Sequence, residues 1–301
     1  MQFLSVIASI RSDLVNSVFS LVTKLGEEIV VIVILCAIFW CLEKKLAYCI
    51  GISYFLSGLL VQDLKIIFRI DRPWILDSSF KPVPSAIEHA SGYSFPSGHT
   101  QSATSLFGTI GLSLKKTWQK ILCFVIFLLV GFSRMYLGVH TMLDVAVSMA
   151  ITFGIAVLMV LFYDKGDKPS TREWFIPAVL TLFAVATGIL ATCLHSAGII
   201  TEDYVLDCLK ATGAGVGFAV GMYLEKQFIQ FSVKCKSLWL QLLKYLIGIV
   251  GVLVVKEGLK LIIGTGMIVD TFRYILIGLF ITAIYPLVIK KWFMIKEMVY
   301  D

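Results

Sequence analysis

Three short polar stretches of this chain combine basic residues, histidines and a carboxylate at fixed spacings. The stretches are 65–73 (KIIFRIDRP), 93–100 (YSFPSGHT) and 133–144 (SRMYLGVHTMLD). Together they supply three cations, a helix start, two histidines and one carboxylate. These groups suit the binding of a phosphate and the breaking of its ester bond, because cations stabilise the transferring phosphoryl group while a histidine attacks phosphorus.

Lys65 and Arg72 form the first pair of cations. They are seven residues apart, so two helical turns would place both side chains on one side of a helix that Pro73 ends. Taken alone, the pair could equally anchor a helix end at a membrane surface.

Ser97, Gly98 and His99 open a helix directly after Pro96. The first N–H groups of a helix have no intrahelical partner and carry the positive end of its dipole. Gly98 lets an anion approach the backbone closely, so this stretch predicts a phosphate cradle. Taken alone, a serine N-cap followed by an interfacial histidine would also explain it.

His140 and Asp144 are spaced i, i+4, which would put them on one face of a helix. A carboxylate there can accept a hydrogen bond from one imidazole nitrogen and leave the other as a nucleophile. Arg134, one loop earlier, has a guanidinium that can grip two phosphate oxygens at once. An isolated interfacial histidine is the alternative, and it is the joint occurrence of all three stretches that favours a phosphate site.

Composition places these stretches in a membrane protein. Hydrophobic residues make up 58% of the chain and the mean hydropathy is +0.89. The predicted fold class is therefore all-α, a polytopic transmembrane helical bundle, with an amphipathic helix over 1–24. The net charge of +6 is spread along the loops and does not indicate nucleic-acid binding. The nine predicted spans are 28–43, 46–70, 97–114, 118–136, 139–163, 173–195, 203–231, 237–262 and 268–291.

The alternation of these spans brings all three stretches to one membrane face, which we call the site face. Residues 71–96 would form a structured cap there. Basic residues are concentrated on the opposite face, so the positive-inside rule predicts that the site face lies outside the cytoplasm. The basic residues expected on the opposite face are Lys44, Lys45, Lys115, Lys116, Lys120, Lys165, Lys168, Arg172, Lys226, Lys234, Lys236, Lys290, Lys291 and Lys296.

Gly213, Gly217 and Gly221 recur every four residues within an apolar run. No strand precedes them, so the spacing predicts close helix packing rather than a nucleotide-binding loop.

In this order, Lys-x6-Arg-Pro, Pro-Ser-Gly-His and Ser-Arg-x5-His-x3-Asp resemble the three-part signature of the type 2 phosphatidic acid phosphatase superfamily. That group includes lipid phosphate phosphatases, undecaprenyl diphosphate phosphatases and glucose-6-phosphatase, and it is related to the vanadium haloperoxidases. The resemblance implies a phosphatase core over 1–165, followed over 166–301 by additional C-terminal transmembrane helices of unassigned role. The additional helices are loosely similar to the longer sphingosine-1-phosphate phosphatase type.

The resemblance also implies a role for each signature residue. His140 would attack phosphorus and form a phosphohistidine, Asp144 would orient it, and His99 would protonate the leaving group and then activate water. We expect no metal and no cofactor, because three cations replace a metal ion and the sequence lacks clustered carboxylates for magnesium. The residues expected to bind the phosphate are Lys65, Arg72, Ser97, Gly98 and Arg134.

The sequence therefore predicts an integral-membrane phosphatase that hydrolyses a lipid phosphate or diphosphate drawn from the bilayer. Undecaprenyl diphosphate, phosphatidate, phosphatidylglycerophosphate and sphingosine-1-phosphate all remain open as substrates. The site would face outward from a plasma membrane, or into the endoplasmic reticulum lumen of a eukaryote. The main alternative is a transporter or translocase that uses the same cations, although binding alone needs neither a nucleophile nor a proton donor. A vanadate-dependent haloperoxidase is a third possibility, but such relatives are soluble.

Overall fold

The computed structural model describes residues 2–87, 90, 92–164, 173–235 and 237–298. Within these ranges every regular element is helical and there is no strand, which confirms the all-α class. The predicted boundary at residue 165 lies outside the described residues, as do Lys165, Lys168, Arg172 and Lys236 among the basic residues expected on the opposite face. The division into a core and a C-terminal extension stays a prediction.

The described chain contains sixteen α-helices, and several of them continue into a π-helical turn. The α-helices are α1 (Gln2–Ser9), α2 (Asp13–Thr23), α3 (Glu28–Ala37), α4 (Lys44–Phe68), α5 (Pro73–Leu76), α6 (Pro84–Ile87), α7 (Gly98–Ala103), α8 (Thr109–Ser113), α9 (Thr117–Tyr136), α10 (Met142–Asp164), α11 (Phe175–Ser196), α12 (Glu202–Leu224), α13 (Leu238–Leu253), α14 (Leu259–Ile263), α15 (Met267–Leu279) and α16 (Tyr285–Met298). The π-helical turns are Ile38–Leu42, Thr104–Gly108, Glu225–Ile229, Val254–Gly258 and Phe280–Ile284.

These helices form two compact units. The first, which we call the site unit, comprises Met1–Ile32 and Leu60–Leu161 and contains all three polar stretches. The second comprises Val33–Leu59 and Phe162–Asp301. Because α3 and α4 each contribute to both, the chain passes between the units more than once.

Seven of the described helices are long and apolar enough to cross a membrane, and counting the bent pair Asp13–Gly26 and Glu28–Leu42 as one span gives eight. Nine spans were expected. The difference includes the predicted third span, which is helical but consists of consecutive segments of only 6, 5 and 5 residues. Its polar side chains, among them Gln101 and Thr104, are buried inside the site unit. The run over 98–113 is shorter than the seven helices counted above and carries buried polar groups, so it is not counted among them.

The predicted amphipathic helix over 1–24 is present as two helices, α1 and α2, separated at Ile10–Ser12. Arg11 explains the break because its side chain turns into the unit. Its Nε donates to the carbonyl oxygen of Tyr136 at 2.9 Å and its Nη1 donates to that of Lys81 at 2.6 Å. The guanidinium also lies over the ring of Phe80, 5.4 Å from its centroid. We call residues 2–26 the N-terminal arm.

The cap and the N-terminal arm share one apolar core with the loop that precedes α10. Leu4 and Ile7 of the arm, Phe80 and Val83 of the cap, and Leu137 of the loop are all buried in it. Burial of these side chains ties three segments together that are far apart in sequence.

Lys65 and Arg72 do not lie on one helix, so the expectation of a shared helix face was wrong. The helix α4 ends at Phe68 because Arg69 adopts the left-handed conformation, with φ of 51°. Arg72 is extended, with φ of −67° and ψ of 152°, as expected for a residue that precedes a proline. Pro73 does not end α4 but begins α5, where its fixed φ suits the first helical position.

In the second unit, the glycines of α12 allow close contact with α15 and the turn after it, which confirms the packing prediction. A Cβ at Gly213 would collide with the carbonyl oxygen of Thr271, and one at Gly217 with that of Ile275. A Cβ at Gly221 would collide with the hydroxyl of Thr282. Only the absence of a side chain lets these backbones approach.

Gly217→Ala should lower the stability of the protein by about 1–3 kcal/mol, the usual cost of overpacking a filled interface. The matched control is Gly215→Ala in the same helix, because a Cβ there would rest 3.4 Å from the Cβ of Ala184, an ordinary contact. Thermal unfolding in detergent measures both variants. Equal melting temperatures for the two variants would contradict the close packing of α12 on α15.

Candidate active site

The loop that carries His140 ends at a capping arrangement on α10. The backbone N–H of Thr141 donates to Asp144 Oδ2 at 2.7 Å, and the N–H of Asp144 donates to Thr141 Oγ1 at 3.3 Å. This reciprocal pair is a capping box. His140 consequently lies before the helix and not on it, so the expected shared helix face was wrong, although the two residues still meet.

Asp144 Oδ2 is the point at which three segments converge. It accepts a hydrogen bond from Ser94 Oγ at 2.6 Å as well as the one from Thr141. The same oxygen lies 3.4 Å from His140 Nδ1. Asp144 and His140 are each only 2% exposed. A carboxylate held from two sides in this way can fix the orientation of the imidazole.

Arg72 lies against the other ring nitrogen of His140. Its Nη1 is 2.8 Å from His140 Nε2 and 3.5 Å from His140 Nδ1, and it donates to the carbonyl oxygen of Val139 at 2.9 Å. Its Nε donates to the carbonyl oxygen of Gly92 at 3.0 Å. A carboxylate can only accept, so the ring proton is assigned to Nδ1, on the side of Asp144, and Nε2 keeps its lone pair.

Arg134 is 1% exposed and enters the site from the end of α9. Its Nη1 donates to Thr23 Oγ1 at 2.9 Å. Its Nε and Nη2 are buried and have no hydrogen-bond partner in the described part of the chain. Its carbonyl oxygen accepts from the N–H groups of Val139 and His140 at 3.1 and 3.3 Å. Arg134 thus positions the His140 loop through its backbone and keeps two buried, unpaired donors near His140.

Lys65 lies at the cap, where its Nζ donates to the carbonyl oxygen of Tyr93 at 2.5 Å. The side chain is half-buried, unlike those of Arg72 and Arg134. This contact fixes the ammonium beside the loop that leads to Ser97.

Ser97 is the N-cap of α7, and its hydroxyl accepts from the N–H of Thr100 at 3.4 Å. Its own N–H donates to the carbonyl oxygen of Asp144 at 3.1 Å, which joins the second stretch to the third. A Cβ on Gly98 would meet nothing within 4 Å, so the backbone there is open to close approach. His99 follows in the first helical turn, and its carbonyl oxygen packs against Gly26 of the N-terminal arm.

The environment of His140 favours its neutral form. Burial is the main cause that holds the pKa of His140 well below its usual value of 6.5. The positive charges of Arg72, Arg134 and Lys65, together with His99, lower this pKa further. A neutral imidazole keeps a lone pair on Nε2, which is what a nucleophile requires.

Hydrogen bonds join Arg72, Ser97, Arg134, His140 and Asp144, and Thr23 and Ser94 take part in them. The charges of Lys65 and His99 act on His140, and Gly98 lies in the chain between Ser97 and His99. Thr23 bonds an arginine 111 positions away in sequence, and Ser94 bonds a carboxylate 50 positions away. The only sequence signal for Ser94 is its place just before Pro-Ser-Gly-His, and Thr23 has none beyond its place on an amphipathic helix. In the described ranges no group of three or more His, Cys, Asp or Glu residues is arranged to hold a metal ion.

These features define an integral membrane protein of helices with a buried, cation-rich site centred on a histidine. Residues 45–168 match the sequence profile of the PAP2 superfamily, that is, the type 2 phosphatidic acid phosphatase superfamily. Residues 209–296 match the profile described as the transmembrane extension of PAP2 superfamily phosphatases. The chain belongs to the PAP2 superfamily.

Individual relatives agree with this assignment. Sphingosine-1-phosphate phosphatase 1 of Mus musculus is 26% identical over 211 residues, which cover 68% of this chain and 47% of the relative. Sphingosine-1-phosphate phosphatase 2 of the same organism is 26% identical over 263 residues, covering 79% of this chain and 71% of the relative. Phosphatidylglycerophosphatase B of Bacillus subtilis is 29% identical over 119 residues, covering 36% and 55%. The chain thus spans about half the length of the first of these relatives.

One solved structure is also similar, a transmembrane PAP2-type phosphatidylglycerolphosphate phosphatase from Bacillus subtilis. The identity is 26%, the alignment covers 56% of this chain and 85% of the other, and the TM-score is 0.47.

Thr23→Val should lower the stability of the site unit by about 1–3 kcal/mol. Valine has nearly the same shape but cannot accept the hydrogen bond, so a third buried donor of Arg134 loses its partner. Thr23→Ser keeps the hydroxyl and is the matched control. Thermal unfolding in detergent compares the two, and a valine variant as stable as the wild type would show that the contact contributes nothing.

Proposed function

We propose that the protein is a metal-independent lipid phosphate phosphatase that works through a phosphohistidine at His140. The observation that supports this most directly is the pair of contacts on one imidazole: Asp144 faces Nδ1 and a cation faces Nε2. A site built only for binding would need the cations but no oriented, neutral histidine.

In the first half-reaction, the phosphate enters between the cations and takes over the donors that Arg72 directs at Nε2. The two unpaired donors of Arg134 bind its oxygens, and Lys65 adds a third positive charge. Nε2 then attacks phosphorus and the bond from phosphorus to the lipid oxygen breaks. His99, protonated beforehand, gives its proton to the leaving alkoxide.

In the second half-reaction, His99 accepts a proton from water as that water attacks phosphorus. The phosphorus–nitrogen bond breaks, inorganic phosphate leaves, and the electron pair returns to Nε2. Asp144 stabilises the ring throughout by accepting from Nδ1–H, and the transition-state charge is spread over the cations and the N–H groups near Gly98.

The relatives support the substrate class. The names of the similar proteins are those of phosphatases for sphingosine-1-phosphate and for phosphatidylglycerophosphate, both of them lipid phosphates. The membrane-spanning helices give such a substrate direct access from the bilayer, so its tail can stay in lipid while its phosphate reaches the site.

The test is release of inorganic phosphate by the purified protein in detergent, with excess EDTA. The panel comprises phosphatidate, phosphatidylglycerophosphate, sphingosine-1-phosphate, undecaprenyl diphosphate and, as a water-soluble control, glucose-6-phosphate. We expect turnover of at least one lipid and no loss of rate with EDTA, because no step uses a metal. Binding of these lipids without any turnover would favour the transporter alternative.

Two variants make the same assay specific to the mechanism. His140→Ala should abolish turnover because no nucleophile remains. Asp144→Asn should lower kcat by roughly 10³–10⁴-fold, as in enzymes whose catalytic histidine loses its orienting carboxylate. Near wild-type phosphate release from His140→Ala would refute the phosphohistidine.

We further propose that the site faces away from the cytoplasm. The support is the distribution of lysine and arginine: apart from Lys65, Arg72 and Arg134, which belong to the site, most basic residues fall on the opposite face.

Labelling of intact cells with a membrane-impermeant thiol reagent tests this orientation. Ser78→Cys, at an exposed position of the cap, should react more than the wild type. Lys116→Cys, exposed on the loop between α8 and α9, is the matched control and should react only after the membrane is broken. The reverse pattern would invert the topology.

A further inference from the structure

A cavity of about 380 Å³ opens between the N-terminal arm and the cap, outside the three signature stretches. This volume falls within the usual range of small-molecule sites, about 300–1,000 Å³. The cavity is lined by Asn16, Ser17, Ser20, Leu21 and Lys24 of the arm and by Ser85 of the cap.

The cavity lies near Thr23, the residue of α2 that bonds Arg134. Asn16, Ser20 and Thr23 are spaced by four and three residues, so they lie on the same side of the helix. Thr23 at the end of this row bonds Arg134, and Ser20 one turn earlier lies at 3.1 Å from Ser85 across the cavity. One helical turn advances about 5.4 Å, so Ser20 in the cavity wall lies about that far along the helix from the residue that bonds Arg134.

The lining specifies the kind of group that would fit. It offers one ammonium, three hydroxyls and one amide, and none of the six residues carries a carboxylate. The amide oxygen of Asn16 is buried and has no hydrogen-bond donor among the described residues. An occupant that satisfies this set carries a negative charge for Lys24 and a hydroxyl for the oxygen of Asn16.

We propose that this cavity binds the glycerol phosphodiester segment of a phosphatidylglycerophosphate-type substrate, next to the phosphate that is hydrolysed. The free hydroxyl of that glycerol donates to Asn16, and the phosphodiester anion accepts from Lys24 and from the one hydroxyl of the Ser20–Ser85 pair that does not donate to the other. This inference rests on the proposed phosphatase function and selects among its substrates. Phosphatidate has no group to place in the cavity, and the amine of sphingosine-1-phosphate would be repelled by Lys24.

The experiment compares two lipids with identical acyl chains, phosphatidylglycerophosphate and phosphatidate, which differ only in the segment assigned to the cavity. The variants are Lys24→Gln, which removes the cation, and Asn16→Leu, which removes the acceptor of the glycerol hydroxyl at similar volume. KM and kcat are measured for the wild type and both variants in mixed micelles. Lys81→Gln is the matched control, because it removes an exposed lysine of the cap that does not line the cavity.

We expect Lys24→Gln to raise KM for phosphatidylglycerophosphate about fivefold, as for the loss of one exposed charge pair. Asn16→Leu should raise it about threefold to tenfold, because the glycerol hydroxyl then loses its hydrogen-bond acceptor. KM for phosphatidate should stay within about twofold of the wild type in every variant, and Lys81→Gln should change neither lipid.

Equal changes for both lipids, or no change for either, would overturn the assignment of the cavity. A wild type that hydrolyses phosphatidate but not phosphatidylglycerophosphate would overturn it as well while leaving the phosphatase function intact. Hydrolysis of neither these nor any other lipid phosphate would refute the proposed function itself.

Discussion

The site unit depends on one carboxylate. Asp144 caps the start of α10 through Thr141, accepts from Ser94 at the end of the cap segment, and faces Nδ1 of His140. Its backbone carbonyl also accepts from the N–H of Ser97. One buried residue therefore holds the second signature stretch against the third and orients the ring of the central histidine. A change that moved Asp144 would disturb both the fold of the site unit and the geometry of the site.

The second constraint is electrostatic. Arg72 and Arg134 are 4% and 1% exposed, and both lie close enough to His140 to disfavour its protonation. Removing cations from water is costly unless hydrogen bonds and opposite charges compensate. Arg72 donates to two carbonyl oxygens and lies 2.8 Å from His140 Nε2, and Arg134 donates to one hydroxyl. A bound phosphate would provide the negative charge that these cations lack. The site thereby gains affinity for an anion, and the protein without the anion is less stable.

Residue types and spacing in the sequence were enough to identify which groups meet, because lysine, arginine, histidine and aspartate in this order have few roles inside a membrane protein. The local geometry was less accessible. Lys65 and Arg72 were assigned to one helix because spacing alone cannot show that Arg69 turns left-handed. His140 was assigned to a helix because spacing alone cannot show that Thr141 caps α10. The hydrogen bonds between Thr141 and Asp144 start the helix after His140. Thr23 carried no signal, since its role exists only once α2 lies against α9.

The N-terminal arm precedes the residues that match the PAP2 profile, which begin at 45. Yet Thr23 bonds Arg134, and Gly26 is small because the backbone of His99 passes beside it. A hybrid that joined residues 45–168 to the opening helices of a distant relative would inherit every signature residue and still misplace a guanidinium. An exchange of the core between members of this superfamily should therefore succeed only when the N-terminal arm and the core are transferred together from one parent.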